Sequence, residues 1–195
     1  MIRRARIVAP LLAAALLLTG CAESGAQGGT GNPGYVAGDG NGAWEEWTNP
    51  TTAPVTFSGT TIDGAKLSSK QYLGKVLVVN FWYAGCPPCR AEAPTLNALA
   101  TRYAKDVQFI GVNVSDDAPT AAGFERTYKS PYPSIVDQAD GASVQLAFAA
   151  VKPPKAVPST LVLDRQHRVV ARVVGLANTS ILNTYIQDAV DGTAK

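Results

Sequence analysis

Two cysteines three positions apart enclose two prolines in the segment Asn80-Phe81-Trp82-Tyr83-Ala84-Gly85-Cys86-Pro87-Pro88-Cys89-Arg90-Ala91-Glu92-Ala93-Pro94. A Cys-x-x-Cys pair has two common uses, thiol–disulfide exchange and metal binding. Zinc asks for four ligands, usually two such pairs or one pair and two histidines. The chain holds one further cysteine, Cys21, and one histidine, His167, which lies in the polar turn Asp164-Arg165-Gln166-His167. No metal site is expected from that inventory. A plain structural disulfide is the competing use. So short a loop constrains little of the unfolded chain, so a bridge there adds little stability.

The surroundings of the pair suit nucleophilic chemistry. Val76 to Trp82 (VLVVNFW) is a near-continuous apolar run, as in a strand buried on both faces. The segment after it repeats apolar residues at Leu96, Leu99, Ala100 and Tyr103, the spacing of a helix face. Cys86 therefore ends a strand and opens a helix. Amide dipoles at a helix N-terminus favour an anion and lower a thiol pKa. Pro87 fits the first helical turn, where its missing N–H costs nothing. Cys89 is one turn on and within reach of Cys86. One thiolate can then attack a partner disulfide while the second thiol resolves the mixed disulfide.

The remaining elements alternate. Asp63-Gly64 is a turn signal, and Ser68 or Ser69 caps a short helical turn that Gly74 ends. Val107 to Val114 is a second buried strand. Asp117 is expected to cap a helix reaching about Lys129, and Asp140 another reaching about Ala149. Thr160 to Leu163 and Arg168 to Val174 read as strands. Ile181, Leu182, Tyr185, Ile186, Ala189 and Val190 form one face of a last helix. The order predicts an α/β domain with a central mixed β-sheet flanked by helices on both faces.

The N-terminus addresses the compartment. Arg3, Arg4 and Arg6 precede an apolar run from Ile7 to Leu18, too short to span a bilayer, and small residues follow. That is the pattern of a secretory signal. Leu18-Thr19-Gly20-Cys21 resembles a bacterial lipobox, which implies cleavage before Cys21 and a diacylglycerol on its sulfur. Ala22 to Gly42 then holds eight glycines among small polar residues. Such a stretch buries too little apolar surface to offset its ordering entropy. The expected organisation is a signal peptide over 1–20, a lipidated Cys21 with a flexible tether over 21–50, and a folded domain over 51–195. Trp44-Glu45-Glu46-Trp47 interrupts the tether. Its tryptophans either dock on the domain or contact a ligand or headgroup.

Charge excludes one class of partner. The chain has 17 basic and 15 acidic residues, and loss of the signal's three arginines leaves 14 against 15. With no basic run, the electrostatic footprint of a nucleic-acid binder is missing.

Phe81-Trp82, the Cys86-Pro87-Pro88-Cys89 motif, Arg90, Glu92 and Pro94 together resemble the thioredoxin-like TlpA/ResA family of membrane-anchored thiol–disulfide oxidoreductases. The likeness runs from about residue 54 to residue 190. It implies a thioredoxin-like fold, a redox pair at Cys86 and Cys89, and no cofactor. Pro94 falls where such helices carry a kink proline. Val157-Pro158-Ser159-Thr160 resembles the loop whose cis-proline faces the two sulfurs, which makes Val157 and Pro158 candidate substrate-binding residues. Thioredoxin itself has an acid where this chain has Asn80. The family offers a helix glutamate instead, matched by Glu92, which either exchanges protons with Cys89 or is an exposed helix carboxylate. The family usually has Trp before the first cysteine. Gly85 stands there and is expected to leave the sulfur open.

The implied partners are thiol or disulfide proteins of the cell envelope, a membrane electron donor or acceptor, and the lipid bilayer through Cys21. Cytochrome c maturation is one role the resemblance suggests. A thiol peroxidase shares the fold but needs a hydroxyl residue three before the cysteine, where Tyr83 stands, and no arginine is evidently placed for peroxide. A copper-delivery lipoprotein usually has a wider cysteine spacing and a distant histidine, for which His167 is the sole candidate.

Overall fold

The computed structural model describes residues 44–47 and 53–193. Among them run β1 (Trp44–Trp47), β2 (Ser58–Thr60), β3 (Lys66–Ser68), β4 (Val76–Trp82), α1 (Pro87–Arg102), β5 (Val107–Asn113), α2 (Ala118–Tyr128), β6 (Ser134–Val136), α3 (Ser143–Ala149), β7 (Ser159–Leu163), β8 (Val169–Val174) and α4 (Thr179–Asp191). Six strands form one sheet in the order β1-β8-β7-β4-β5-β6, and β2 and β3 pair separately. β4, β5 and β6 are parallel, while β7 runs antiparallel to both β4 and β8. None of the helices among the described residues is long and apolar enough to cross a membrane.

Strand β4 is central and all seven of its residues are buried. Alternate side chains serve opposite faces. Val76 and Val78 pack with Leu96 and Leu99 of α1 and with Leu182 and Ile186 of α4. Leu77, Val79 and Phe81 pack with Val144 and Phe148 of α3 and with Phe57. Helices therefore cover both faces, and the sheet is the mixed one the alternation predicts. Helix α2 lies beside α1, where Asn97 Nδ2 donates to Tyr128 O at 2.7 Å.

Two expectations need correction. The segment 21–50 does not read as tether throughout, because Trp44–Trp47 pairs antiparallel with β8, Trp44 opposite Val174 and Trp47 opposite Ala171. Four residues between a glycine-rich run and the segment Thr48-Asn49-Pro50 are too few to show a strand period, and the edge of β8 supplies their ladder. Asp140 does not cap α3. It ends a short 3-10 turn, Asp137–Asp140, and accepts from the Thr60 N–H at 2.5 Å. The chain then turns through positive φ at Gly141 (70°) and Ala142 (58°). That reversal brings the buried Asp137 carboxylate to the helix start, where it accepts from the Val144 N–H at 2.7 Å and the Gln145 N–H at 3.1 Å.

Candidate active site

Strand β4 ends at Trp82, and a turn through Tyr83, Ala84 and Gly85 delivers the chain to α1. Cys86 donates its N–H to Tyr83 O at 3.2 Å, closing that turn. It is also the N-cap of α1, its Sγ accepting from the Cys89 N–H at 3.2 Å, with proline in the first helical positions. Cys86 and Cys89 are bonded as a disulfide with their Cα atoms 5.3 Å apart. The bridge joins the first turn of a helix to its own cap, as the position of the motif predicts.

Both cysteines are buried, Cys86 at 1% exposure and Cys89 at 2%. Gly85 thus does not leave the first sulfur open. The Tyr83 ring lies beside residue 85, 3.4 Å from where a Cβ there would stand, an ordinary van der Waals contact. Tyr83, Ala84, Phe124 and Val157 pack against the cluster of Trp82, Cys86, Cys89 and Ala121. Trp82 is 4% exposed, with its ring centroid 4.3 Å from that of Phe124, so it is a packing residue beneath the site.

Glu92 lies one turn beyond Cys89 on the buried face of α1 and is 1% exposed. The solvated helix carboxylate is therefore excluded. Its Oε1 accepts from Asn80 Nδ2 at 2.8 Å, and its Oε2 accepts from the Ala177 N–H at 3.1 Å. Burial pushes its carboxyl up from 4.5 to about 8, against the two hydrogen bonds, which favour the charged form. Asn80 also donates to Thr160 Oγ1 at 3.0 Å. Asn80 and Cys89 line the same small cavity, about 10 Å³, together with Tyr132 and Ser134. Asn80 and Thr160 are the members of this network that sequence reasoning missed. One signal was there to see, since Asn80 is the lone polar residue in the apolar run of β4.

The Val157–Pro158 peptide bond is cis. Pro158 is buried, and half-buried Val157 packs against the cysteine cluster. The strand it opens is tied in at once: Ser159 stands opposite Phe81 in the β4–β7 register. Pro158 O accepts from the Gly175 N–H at 2.8 Å, whereas no hydrogen bond among the described residues engages the N–H or C=O of Val157. The structure thus brings Cys86, Cys89, Glu92, Val157 and Pro158 to one end of the sheet.

Two residues lie elsewhere. His167 follows β7 at the opposite end of the sheet, since β7 runs antiparallel to β4 with Leu163 opposite Leu77. There it is buried and its Nε2 is 3.3 Å from Tyr72 O, with its pKa lowered by burial. It is not placed to share a copper ion with the sulfurs. Cys21 lies outside the described residues.

Comparison with known proteins agrees with this geometry. The family model described as Redoxin matches residues 49–186. The thiol-disulfide oxidoreductase ResA of Bacillus cereus is 28% identical over 132 residues, which are 67% of this chain and 73% of that protein. The thiol:disulfide interchange protein HelX of Rhodobacter capsulatus is 31% identical over 122 residues, 62% of this chain and 64% of HelX. Among solved structures, a thioredoxin-family thiol:disulfide interchange protein from Chlorobium tepidum superposes with a TM-score of 0.64 at 27% identity, covering 73% of this chain and 98% of that one. With the fold, the disulfide at a helix start and these relatives in agreement, the chain belongs to the redoxin family and is a thioredoxin-like thiol–disulfide oxidoreductase.

Proposed function

We propose that the chain exchanges disulfides with secreted or membrane thiol proteins of the cell envelope through its Cys-Pro-Pro-Cys pair. Cys86 is the attacking sulfur and Cys89 the resolving one. As a reductant, the Cys86 thiolate bonds to one sulfur of the partner's disulfide and the other leaves as a thiolate. The Cys89 thiol then gives up its proton and attacks Cys86 Sγ. The Cys86–Cys89 bond forms, the mixed disulfide breaks, and two electrons have passed to the partner. The same steps reversed oxidise a dithiol. A membrane donor or acceptor of electrons then resets the pair. The observation that carries the reading is the bonded pair at the start of α1, in the cluster against which Val157 packs.

Val157 and Pro158 serve as the substrate platform in this reading. The Val157 N–H and C=O, which no hydrogen bond engages among the described residues, can pair with an extended segment of the partner in the strand-addition mode of recognition. Backbone recognition suits an enzyme with several partners, because backbone is common to all of them. Pro158→Ala is expected to lower turnover of protein disulfides by about tenfold, or roughly 1.4 kcal/mol of transition-state stabilisation. Insulin reduction followed by turbidity measures it. Wild-type turnover by a folded Pro158→Ala variant removes the platform.

The resemblance to the lipobox supports an anchor at Cys21 after removal of residues 1–20, which places the domain outside the cytoplasm. Cys21→Ala is expected to move the protein from the membrane to the soluble fraction of the native host. Mass spectrometry of the wild-type N-terminus checks the acyl group directly. A mutant that stays with the membrane, together with an unacylated wild-type chain, sinks the anchor.

The physiological partners are reached by trapping. A Cys89→Ala chain expressed in the native host leaves the mixed disulfide unresolved, so partners stay bonded to Cys86. Envelope thiol proteins are the expected catch, with apocytochrome c among them if the family resemblance extends to cytochrome c maturation. Recovery of only cytoplasmic proteins, or of none, overturns the proposed role.

A further inference from the structure

The turn that carries Cys86 is held from two sides at a single residue. Ala84 donates its N–H to Asp116 Oδ2 at 2.6 Å, and its C=O accepts from Arg90 Nε at 2.8 Å. The two side chains come from different places: Arg90 from the first turn of α1, Asp116 from the loop between β5 and α2. Asp116 is itself fixed. The same Oδ2 accepts from Asn113 Nδ2 at 2.8 Å, while Asn113 Oδ1 accepts from the Asp116 N–H at 2.8 Å and the Ser115 N–H at 3.2 Å. Asn113 is fully buried and stands opposite Trp82 in the β4–β5 register. The bracket therefore hangs from the strand end beside the one the turn leaves.

The need for such a bracket follows from Gly85. Glycine has more backbone freedom than any other residue, and here it directly precedes the reactive cysteine. It has no side chain with which to pack the turn down. Without outside ties, the segment would sample conformations that carry Sγ off the line of attack. Attack on a disulfide is sensitive to that line, since misplacement by about 1 Å costs up to about a hundredfold in rate.

We infer that Asp116 and Arg90 are positioning residues that clasp the Ala84 peptide groups and present the Cys86 sulfur to partner disulfides in one geometry. The inference rests on the reading of Cys86 as the attacking thiol. The clasp matters most for a protein disulfide, which is docked and cannot adjust its approach. It matters least for a small disulfide, which can tumble into line. At Asp116 both bonds converge on one oxygen, and an amide oxygen can accept both. Asparagine at this position keeps the clasp, and alanine deletes it.

The test uses the full chain, reduced and held in detergent, with insulin as the protein disulfide and 5,5′-dithiobis(2-nitrobenzoate) as the small one. Asp116→Ala is expected to lower kcat/KM for insulin about tenfold and to leave the small-disulfide rate within about twofold of wild type. Asp116→Asn is expected to restore the insulin rate. Arg90→Met removes the other half of the clasp and should also slow insulin reduction. Because both act on one residue, the Asp116→Ala/Arg90→Met double variant should lose less than the product of the single losses. Wild-type insulin turnover in Asp116→Ala overturns the clasp. So do equal losses in the Ala and Asn variants, which assign the effect to charge, and equal losses on both substrates, which assign it to general destabilisation. Alkylation is mapped to its cysteine in the wild-type chain. If Cys89 is the site modified, the assignment of the attacking thiol fails, and the clasp has lost its purpose whatever the Asp116 variants do.

Discussion

Cys86→Ser is expected to reduce protein-disulfide turnover to the uncatalysed background, whereas Cys89→Ser should attack once and then accumulate as a mixed disulfide. The asymmetry comes from position on α1. Cys86 is the N-cap, and its Sγ already accepts the Cys89 N–H at 3.2 Å. In the reduced enzyme that donor, together with the partial positive charge of the helix start, favours a thiolate at residue 86. Cys89 lies inside the first turn, on the face packed against the sheet; the two residues are equally buried, so the asymmetry rests on the cap position of Cys86. Cys86 should therefore titrate below the free-thiol value of about 8.5. Iodoacetamide labelling at neutral pH, mapped by mass spectrometry, reads the order directly. Faster labelling of Cys89 reverses the two roles. Non-reducing electrophoresis of Cys89→Ser incubated with insulin reads the trapped adduct, and absence of that adduct removes Cys89 as the resolving thiol.

The readable parts of this protein are those whose signal is local. The run from Val76 to Trp82 is apolar enough to announce a strand covered on both faces, and the helix after it shows its period at Leu96, Leu99, Ala100 and Tyr103. The cysteine pair sits at the junction, so the site's location follows from two neighbouring elements. What escapes depends on partners distant in sequence. Strand β6 is three residues, Ser134–Val136, with no periodicity to detect, and it exists as the parallel neighbour of Gly111–Asn113. Strand β1 likewise borrows its ladder from β8. Asp137 and Asp140 look alike as caps. Only the reversal through Gly141 and Ala142 decides which carboxylate meets α3. The site shows the same division. Spacing alone puts Glu92 on the helix face of Cys89, but its burial depends on the loop around Ala177, 85 residues away, donating to it. Cys86 is buried although a glycine precedes it, in a cluster that gathers Trp82, Ala121, Phe124 and Val157 from segments far apart in sequence, which side-chain size at residue 85 does not reveal.

Glu92→Gln is expected to change the pH dependence of stability in a direction fixed by the raised pKa. In the unfolded chain the carboxyl titrates near 4.5, and in the fold near 8. Between those values the folded state holds a proton at residue 92 that the unfolded state has lost. The group's contribution is therefore greatest below pH 4.5, falls by about 1.4 kcal/mol per pH unit across the window, and levels off above pH 8. The full change is at most on the order of 5 kcal/mol. Glutamine keeps acceptor oxygen for Asn80 or Ala177 but carries no proton to lose. Relative to wild type, the variant should thus gain stability steadily from pH 4.5 to pH 8. Urea denaturation of both chains at half-unit steps from pH 4 to pH 9 measures the difference, in which other titrating groups cancel. Parallel curves would mean that Glu92 is ionised in the fold at neutral pH. We propose a use for the same pKa in catalysis. Resolution of the mixed disulfide requires Cys89 to give up a proton, and a carboxyl with a pKa of about 8 can take it only in its ionised form, a small minority at neutral pH and about half at pH 8. In Glu92→Gln that acceptor is gone while the thiol pair is untouched. Initial labelling of Cys86 should then keep its rate, and the mixed disulfide should persist longer, most visibly near pH 8, where wild-type Glu92 is about half ionised, and less at lower pH, where it is protonated. A variant that slows labelling of Cys86 but resolves the adduct normally would place Glu92 with the attacking sulfur rather than the resolving one.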